Sequence, residues 1–272
     1  DRAPVIDGRI DEAAWQRAEV AAGFTQKAPN PGAPASQRTE VRILYDDAAL
    51  YVAARLHDSA PDSIVAQLGR RDNQVYSDWF YVAVDSYFDR RTAFAFGLNP
   101  RGVQVDVLLH NDTEEDNSWD AVWDGAASRD AGGWTAEFRI PLSQLRFSAA
   151  GADGTVWGIN FGRDIARLNE NDWWSPILPD VAGFVSAAGE LRGIRELEPP
   201  HRLEALPYVV ARGSQMPTSG SPFESSSGRD GQLNFGGDLE YGLTADLTLS
   251  ATINPDFGQV EADPSVVNLT AQ

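Results

Sequence analysis

The sequence has no cysteine, only three histidines and no long apolar run. Without cysteine the chain forms no disulfide, ligates no zinc through sulfur and offers no thiol nucleophile. No run approaches the roughly eighteen apolar residues that a membrane-spanning helix needs, and no basic, apolar leader stands at Asp1. If the protein is exported, we expect its signal peptide to have been removed before Asp1. The lack of cysteine assigns no compartment and is compatible with a Gram-negative periplasm.

Positive charge is also scarce in this chain. Lysine and arginine together number 22 against 40 aspartates and glutamates, which gives a formal net charge of −18. Because nucleic-acid binding depends on cationic side chains that displace counterions from phosphates, this balance excludes nucleic acid as a partner. The acidic excess suits divalent cations, contact with sugars or an anionic envelope, or simply a soluble surface.

The motifs of common catalytic sites are missing as well. There is no Gly-x-Ser-x-Gly elbow, no phosphate-binding loop and no His-Glu-x-x-His zinc helix. A glycosidase needs only two carboxylates, so the 40 acidic residues leave that activity open, although no pair stands out. The sequence therefore predicts a protein that is not an enzyme, with glycosidase activity as an open alternative.

Short strand-like segments follow one another through the first two thirds of the chain. Residues 134–140 alternate between apolar and polar side chains, which is typical of a half-buried antiparallel strand. Together the segments predict an all-β protein built as an antiparallel sandwich, and they span residues 41–45, 50–56, 79–85, 92–98, 103–109, 134–140 and 157–165.

The paired prolines Pro199 and Pro200 break any regular element and predict a domain boundary. We therefore expect a sandwich over residues 1–198 and a linker plus strand-rich segment over 199–272. In that second segment, residues 236–254 alternate between apolar and polar side chains on both sides of a turn near Gly242. Such strands suit the wall of an outer-membrane barrel and equally the outer sheet of a soluble sandwich.

Several stretches of the first segment resemble family 9 carbohydrate-binding modules, which are DOMON-like, jelly-roll-like β-sandwiches. The resemblance covers roughly residues 4–195 and is carried by residues 6–15 (IDGRIDEAAW), 39–53 (TEVRILYDDAALYVA), 77–80 (SDWF) with 84–85 (VD), 96–102 (FGLNPRG) and 133–141 (GWTAEFRIP). It implies a β-sandwich whose relatives bind sugars, often with bound calcium, and it implies no catalysis.

Residues 254–264 (NPDFGQVEADP) resemble the start of the C-terminal barrel in a group of large bacterial outer-membrane proteins that carry such a module at the N-terminus. This implies a barrel-derived C-terminal segment and a location in the periplasm or outer membrane of a Gram-negative-type bacterium. A barrel needs at least about eight strands to close. The tail supplies about four at most, so we expect its strands to pair with the sandwich, with another subunit or with chain beyond Gln272.

Two stretches combine indole rings with carboxylates and amides. Exposed indoles are good platforms for the C–H faces of sugars, and neighbouring amides and carboxylates bind hydroxyl groups, although core packing is the commoner fate of a tryptophan in a sandwich. The predicted ligand-binding residues are Asn111, Trp119, Trp123, Trp173 and Trp174. The dense carboxylates of the first stretch could hold calcium, with a solvated acidic loop as the alternative, and the predicted ligands are Asp112, Asp116 and Asp120.

The sequence thus predicts non-catalytic glycan recognition at the bacterial cell envelope, with a glycan or envelope polysaccharide as the partner. One alternative is a structural or interaction subunit, in which the sandwich has lost sugar binding and docks on a larger membrane protein assembly. A second alternative is a protein associated with glycoside hydrolysis.

Overall fold

A computed structural model describes residues 3–150, 152, 154–178, 183–199, 203–215, 229–242 and 248–254. The chain separates into two compact units, Asp1–Pro200 and His201–Gln272, which are described separately below. Within those described ranges, no helix is long and apolar enough to cross a membrane.

The first unit is built almost entirely of strands. One short helix, α1 (Ala13–Arg17), and three single-turn 3-10 helices (Pro61–Ser63, Leu142–Gln144 and Ala166–Leu168) interrupt them. The strands are β1 (Val20–Ala21), β2 (Thr25–Ala28), β3 (Thr39–Tyr45), β4 (Ala49–His57), β5 (Trp79–Asp85), β6 (Ala93–Leu98), β7 (Gln104–His110), β8 (Glu114–Asp116), β9 (Asp124–Asp130), β10 (Gly133–Pro141), β11 (Thr155–Ile165), β12 (Glu170–Trp173) and β13 (Gly189–Ile194).

These strands form two antiparallel sheets, so the predicted all-β sandwich is confirmed. The smaller sheet has the order β1-β3-β4-β10-β9, and the larger has the order β2-β12-β11-β5-β6-β7-β8 with β13 beside β11. Alternate side chains of both sheets point into one shared core because successive residues of a strand face opposite sides. Val52, Phe80, Phe96, Phe138 and Phe161 are fully buried in it.

The N-terminal segment of the first unit, residues 3–17, covers the outer face of the smaller sheet. Trp15 is fully buried there, against Tyr51 and Ala53. The carboxylate of Glu137 accepts hydrogen bonds from the backbone N–H of Gly8 (2.8 Å) and from the indole N–H of Trp15 (3.2 Å). The prediction of a half-buried strand at 134–140 is therefore wrong, because this segment also buries the polar face of β10.

The second unit contributes one antiparallel three-stranded sheet, formed by β14 (Leu203–Gln215), β15 (Arg229–Gly242) and β16 (Thr248–Ile253). The two strands predicted around Gly242 are confirmed as β15 and β16, with Gly237 opposite Ile253. Residues 243–247 and 255–264, on which part of the sequence argument rests, lie outside the described residues. Several large apolar side chains of this sheet are exposed, namely Leu206, Val209, Leu233, Phe235, Leu239, Leu249 and Ile253.

Candidate functional site

A cavity of about 310 Å³ opens on the outer face of the larger sheet. Its floor includes Ala83, Ala95 and Val107, which lie side by side on β5, β6 and β7. Their neighbours along each strand point into the core, so these three positions face outward. The short side chains of Ala83 and Ala95 leave the sheet concave at this point.

Two aromatic rings are set into the same surface by glycines on the adjacent strands. Gly97 and Gly162 flank Tyr81 in the sheet register, and Gly162 is also paired with Trp173. A Cβ atom on Gly97 would lie 2.8 Å from the Tyr81 ring, and one on Gly162 would lie 2.8 Å from the Trp173 ring. Each ring therefore lies over a glycine, and a larger residue at either position would displace it.

A chain of hydrogen bonds fixes the polar side of the cavity. The hydroxyl group of Tyr81 donates to Asp164 Oδ2 (3.1 Å), and the side-chain amide of Asn171 donates to Asp164 Oδ1. The indole N–H of Trp173 in turn donates to Asn171 Oδ1 (2.7 Å). Burial raises the pKa of the Asp164 carboxyl, while the two hydrogen bonds and the nearby charge of Lys27 act in the opposite direction.

The charge of the cavity lining is mostly negative. Asp72, Asp106, Glu115 and Asp164 all contribute, and the only cation in the lining is Lys27, which is also the only lysine of the sequence. Neutral hydrogen-bonding groups complete the lining, namely the amides of Gln74, Asn117 and Asn171.

Comparison with protein families decides the affiliation of the chain. The family described as carbohydrate family 9 binding domain-like matches residues 6–167. The chain belongs to this family. A second family, a domain of unknown function (DUF5916), matches residues 199–272. We refer to the first compact unit as the family 9 unit, and the match confirms its predicted resemblance to family 9 carbohydrate-binding modules over residues 6–167.

Solved structures share the fold of the family 9 unit. A family 9 module from Caldicellulosiruptor kristjanssonii in complex with cellotriose is 20% identical, with a TM-score of 0.51 over 72% of this chain and 92% of the other. A protein from Bacteroides uniformis ATCC 8492 is 15% identical, with a TM-score of 0.52 over 64% of this chain and 86% of the other. No curated protein matches. At these identities the likeness shows the fold alone.

Of the four tryptophans predicted to bind ligand, Trp173 lines the cavity. The other three pack against the core between the sheets. Trp123 is 4% exposed, stacks on Phe138 with the ring centroids 5.4 Å apart, and donates its indole N–H to Asp106. Trp119 and Trp174 are partly buried against phenylalanines of the core. Phe138 covers one face of the Trp123 ring and the guanidinium group of Arg71 lies over the ring at 5.9 Å, so Trp123 is packed in the core, as the alternative prediction has it.

Asn111 and Asp112 form the turn after β7, both with positive φ. Asn111 is exposed and accepts a hydrogen bond from Arg91. Asp112 accepts hydrogen bonds from the backbone N–H groups of Phe184 (3.0 Å) and Ser186 (2.8 Å). Burial acts to raise the pKa of Asp112, but these hydrogen bonds outweigh it and the pKa is lowered. Asp112 therefore anchors the loop that brings Phe184 to the cavity, where its ring meets Trp173 edge-on at 4.9 Å.

The three predicted calcium ligands are not brought together. Asp112 accepts hydrogen bonds from the backbone of Phe184 and Ser186, and Asp116 accepts hydrogen bonds from Ser118. Asp120 instead lies close to Asp72 and Asp106, which were not among the predicted ligands, and the carboxylate oxygens of the three residues are within 4.8 Å of one another.

A guanidinium group already supplies the positive charge among these three carboxylates. Arg71 forms ion pairs with Asp106, with Asp72 (3.5 Å) and with Asp120 (3.4 Å). A calcium ion takes six to eight oxygen ligands, and here it would have to displace the arginine. This arrangement therefore does not fit calcium as it stands, and calcium binding by the chain stays a prediction.

Several cavity residues were not singled out from the sequence. They are Lys27, Tyr81, Asp164, Asn171 and Phe184. The available signal was the presence of Ala83, Ala95 and Gly97 at outward positions of strands whose other residues are large and apolar. Such small residues mark a concave surface only once the pairing of β5 with β6 is known.

Proposed function

We propose that the family 9 unit binds a neutral saccharide, without catalysis, in the cavity on the outer face of the larger sheet. The observation that carries this proposal is the placement of Tyr81 and Trp173 beside fixed amide and carboxylate groups in a preformed concavity. Family membership and the cellotriose complex of the Caldicellulosiruptor kristjanssonii module support it.

The lining chemistry suits a sugar that carries no negative charge. Aromatic rings pack against the C–H faces of a pyranose, and amides and carboxylates accept and donate hydrogen bonds to its hydroxyl groups. Arg71 pairs with Asp72 and Asp106, but Glu115 and Asp164 remain in the lining with the single Lys27 and disfavour a uronic acid or a phosphorylated sugar. A volume of about 310 Å³ is at the lower end for small-molecule sites, so it suits a short saccharide or one chain end.

The same geometry argues against hydrolysis. Both oxygens of Asp164 accept hydrogen bonds from neighbouring side chains, so this carboxylate serves to hold Tyr81 and Asn171 in place. A glycosidase requires one carboxyl group free to donate a proton and a second to act as nucleophile or base. We therefore expect no release of chromophore from a panel of chromogenic glycosides.

Calorimetric titration with cellotriose and a panel of neutral saccharides tests the site. Ala95→Leu fills the floor of the cavity without removing a hydrogen bond, and Ala126→Leu makes the same change on β9 at a partly exposed position outside this cavity. We expect saturable heat with the wild type and Ala126→Leu and none with Ala95→Leu. Equal binding by both variants, or no heat with any saccharide, would refute the proposal.

The melting temperature with and without a chelator tests the predicted binding of calcium.

A second candidate function concerns the second unit. Its exposed apolar side chains, among them Leu206 (68% exposed), Phe235 (61%) and Ile253 (71%), favour a protein or membrane partner. On this proposal the chain is an interaction subunit of a larger membrane assembly at the periplasmic or outer-membrane side of the cell envelope. Pull-down from solubilised membranes tests it, because a subunit brings its complex whereas a free glycan-binding protein is recovered alone.

A further inference from the structure

A second cavity, of about 460 Å³, lies on the outer face of the smaller sheet. The core between the sheets separates it from the saccharide cavity, so the two open on opposite sides of the family 9 unit. The N-terminal segment forms one wall through Gly8, Arg9 and Trp15, and β3 and β4 form another through Arg42 and Arg55.

The carboxylates that face this cavity are mostly committed to other arginines. Both oxygens of Asp130 accept hydrogen bonds from Arg55, each at 2.7 Å. Glu40 forms an ion pair with Arg38. The remaining acid in the lining, Asp11, is exposed on the helix-side rim.

Two guanidinium groups of the lining remain without a partner. Within the part of the chain that the structure describes, neither the Arg9 nor the Arg42 side chain forms a hydrogen bond or ion pair. In a chain with 40 acidic residues against 22 basic ones, an arginine has many potential carboxylate partners. The whole lining carries three arginines and three carboxylates, so its formal charges balance. Among the described residues, however, Asp130 and Glu40 are paired with Arg55 and Arg38, so the two unpaired arginines face only one unpaired carboxylate, that of Asp11.

The backbone on which both arginines stand is held firmly. Arg42 lies within β3 and is paired with Ala53 of β4. Arg9 follows Gly8, whose N–H donates to the buried Glu137 at 2.8 Å and whose position allows no Cβ, since one would lie 2.8 Å from the backbone of Ala127. The two cationic side chains are thus presented from anchored positions.

We propose that this cavity binds a compact oxyanion, a phosphate, sulfate or carboxylate group, between Arg9 and Arg42. A guanidinium group donates two parallel hydrogen bonds to such an anion, and charge-assisted bonds are about twice as strong as neutral ones. The hydroxyl group of Ser128 also lines the cavity and can supply a further donor. The oxyanion can be free or carried by an acidic saccharide, and its site is separate from the neutral saccharide site.

Side-chain NMR of ¹⁵N-labelled protein tests this inference on the whole chain. The Nε–H signals of Arg9 and Arg42, assigned from single Arg→Gln variants, are followed during titration with inorganic phosphate, with galacturonic acid and with cellotriose. We expect saturable shifts of both signals with at least one of the two anions and none with cellotriose. Saturation by both anions indicates a site for any oxyanion, and saturation by galacturonic acid alone indicates a sugar-borne carboxylate.

Matched variants separate a specific site from diffuse attraction. The double variant R9Q/R42Q removes both cations, whereas R101Q removes an exposed arginine that lines neither cavity. Binding of the anion that saturates the wild type is followed here through the backbone amide signals of Ser128 and Gly8. We expect the double variant to bind this anion at least roughly tenfold more weakly. R101Q should bind as the wild type does. Linear, unsaturable shifts with both anions, or equal weakening by R101Q, would overturn the inference.

Discussion

Replacing Glu137 by glutamine should change how the stability of the family 9 unit depends on pH. Glu137 is fully buried, and its carboxylate accepts three hydrogen bonds, from Asp7, Gly8 and Trp15. Burial raises the pKa of this carboxyl from 4.5 to about 7, against the effect of those donors. Glutamine has nearly the same shape but does not titrate, so the variant isolates the contribution of this one proton.

The magnitude follows from the difference between the folded and unfolded pKa. A folded-state pKa above the unfolded value means that the folded protein binds the proton more tightly, so the stabilisation is fully present below pH 4.5 and is lost as the pH rises to about 7. Such a shift corresponds to about 3 kcal/mol in the free energy of unfolding. Above pH 8 the difference between wild type and Glu137→Gln should no longer change.

Urea unfolding followed by circular dichroism at pH 4.5, 6 and 8 measures this difference directly. We expect the wild type to lose about 3 kcal/mol relative to Glu137→Gln across this range. Glu19→Gln, at an exposed position, should show no such change. A difference that is independent of pH, or one that moves in favour of the wild type at high pH, would refute the reasoning. The latter result would show that the three donors outweigh burial and hold the pKa below its ordinary value.

Three further substitutions test other parts of the structure. Arg163→Met removes a fully buried guanidinium group that donates hydrogen bonds to the carbonyls of Arg38 and His57 and to the Thr39 hydroxyl. It should cost about 3–5 kcal/mol in urea unfolding because three acceptors lose their donor; a cost below about 1 kcal/mol contradicts this. Trp123→Phe should lower the free energy of unfolding by about 1–3 kcal/mol through the lost hydrogen bond and packing, yet leave saccharide affinity in calorimetry unchanged. Asp112→Ala should weaken saccharide binding severalfold because the loop that carries a cavity phenylalanine is released; unchanged affinity would show that the loop holds its position without it.

The sandwich could be predicted from the sequence because its signal is local. Alternating side chains within one strand, such as 134–140, report which face is buried without any knowledge of the neighbouring strands. The prediction missed six strands of the first unit (β1, β2, β8, β9, β12 and β13), and it was wrong about burial where a distant segment covers β10. Glu137 reads as a solvent-facing residue of that strand, and nothing near it in the sequence indicates that residues 3–17 return to cover it.

The candidate site could not be predicted in the same way, because its residues come from strands that are far apart in sequence. Lys27, Tyr81 and Asn171 lie on β2, β5 and β12, which the order β2-β12-β11-β5 brings into one surface. Trp173 was singled out by its residue type and lies at the cavity. Trp123 was singled out by the same criterion and lies in the core, since residue type alone does not distinguish a sugar platform from a packed indole.

The two outer faces of the family 9 unit differ because different elements cover them. On the larger sheet, glycines and alanines at outward positions leave room for Tyr81 and Trp173 to lie flat, and carboxylates surround them. On the smaller sheet, the N-terminal segment covers one part, and Arg42 and Arg9 remain at its border without partners. The net charge of −18 agrees in sign with the acidic lining of the first cavity but not with the second, whose lining carries three arginines and three carboxylates. On our two proposals, the charge of a ligand decides which face binds it: a neutral saccharide binds in the aromatic cavity, and an oxyanion binds between the unpaired arginines of the other cavity.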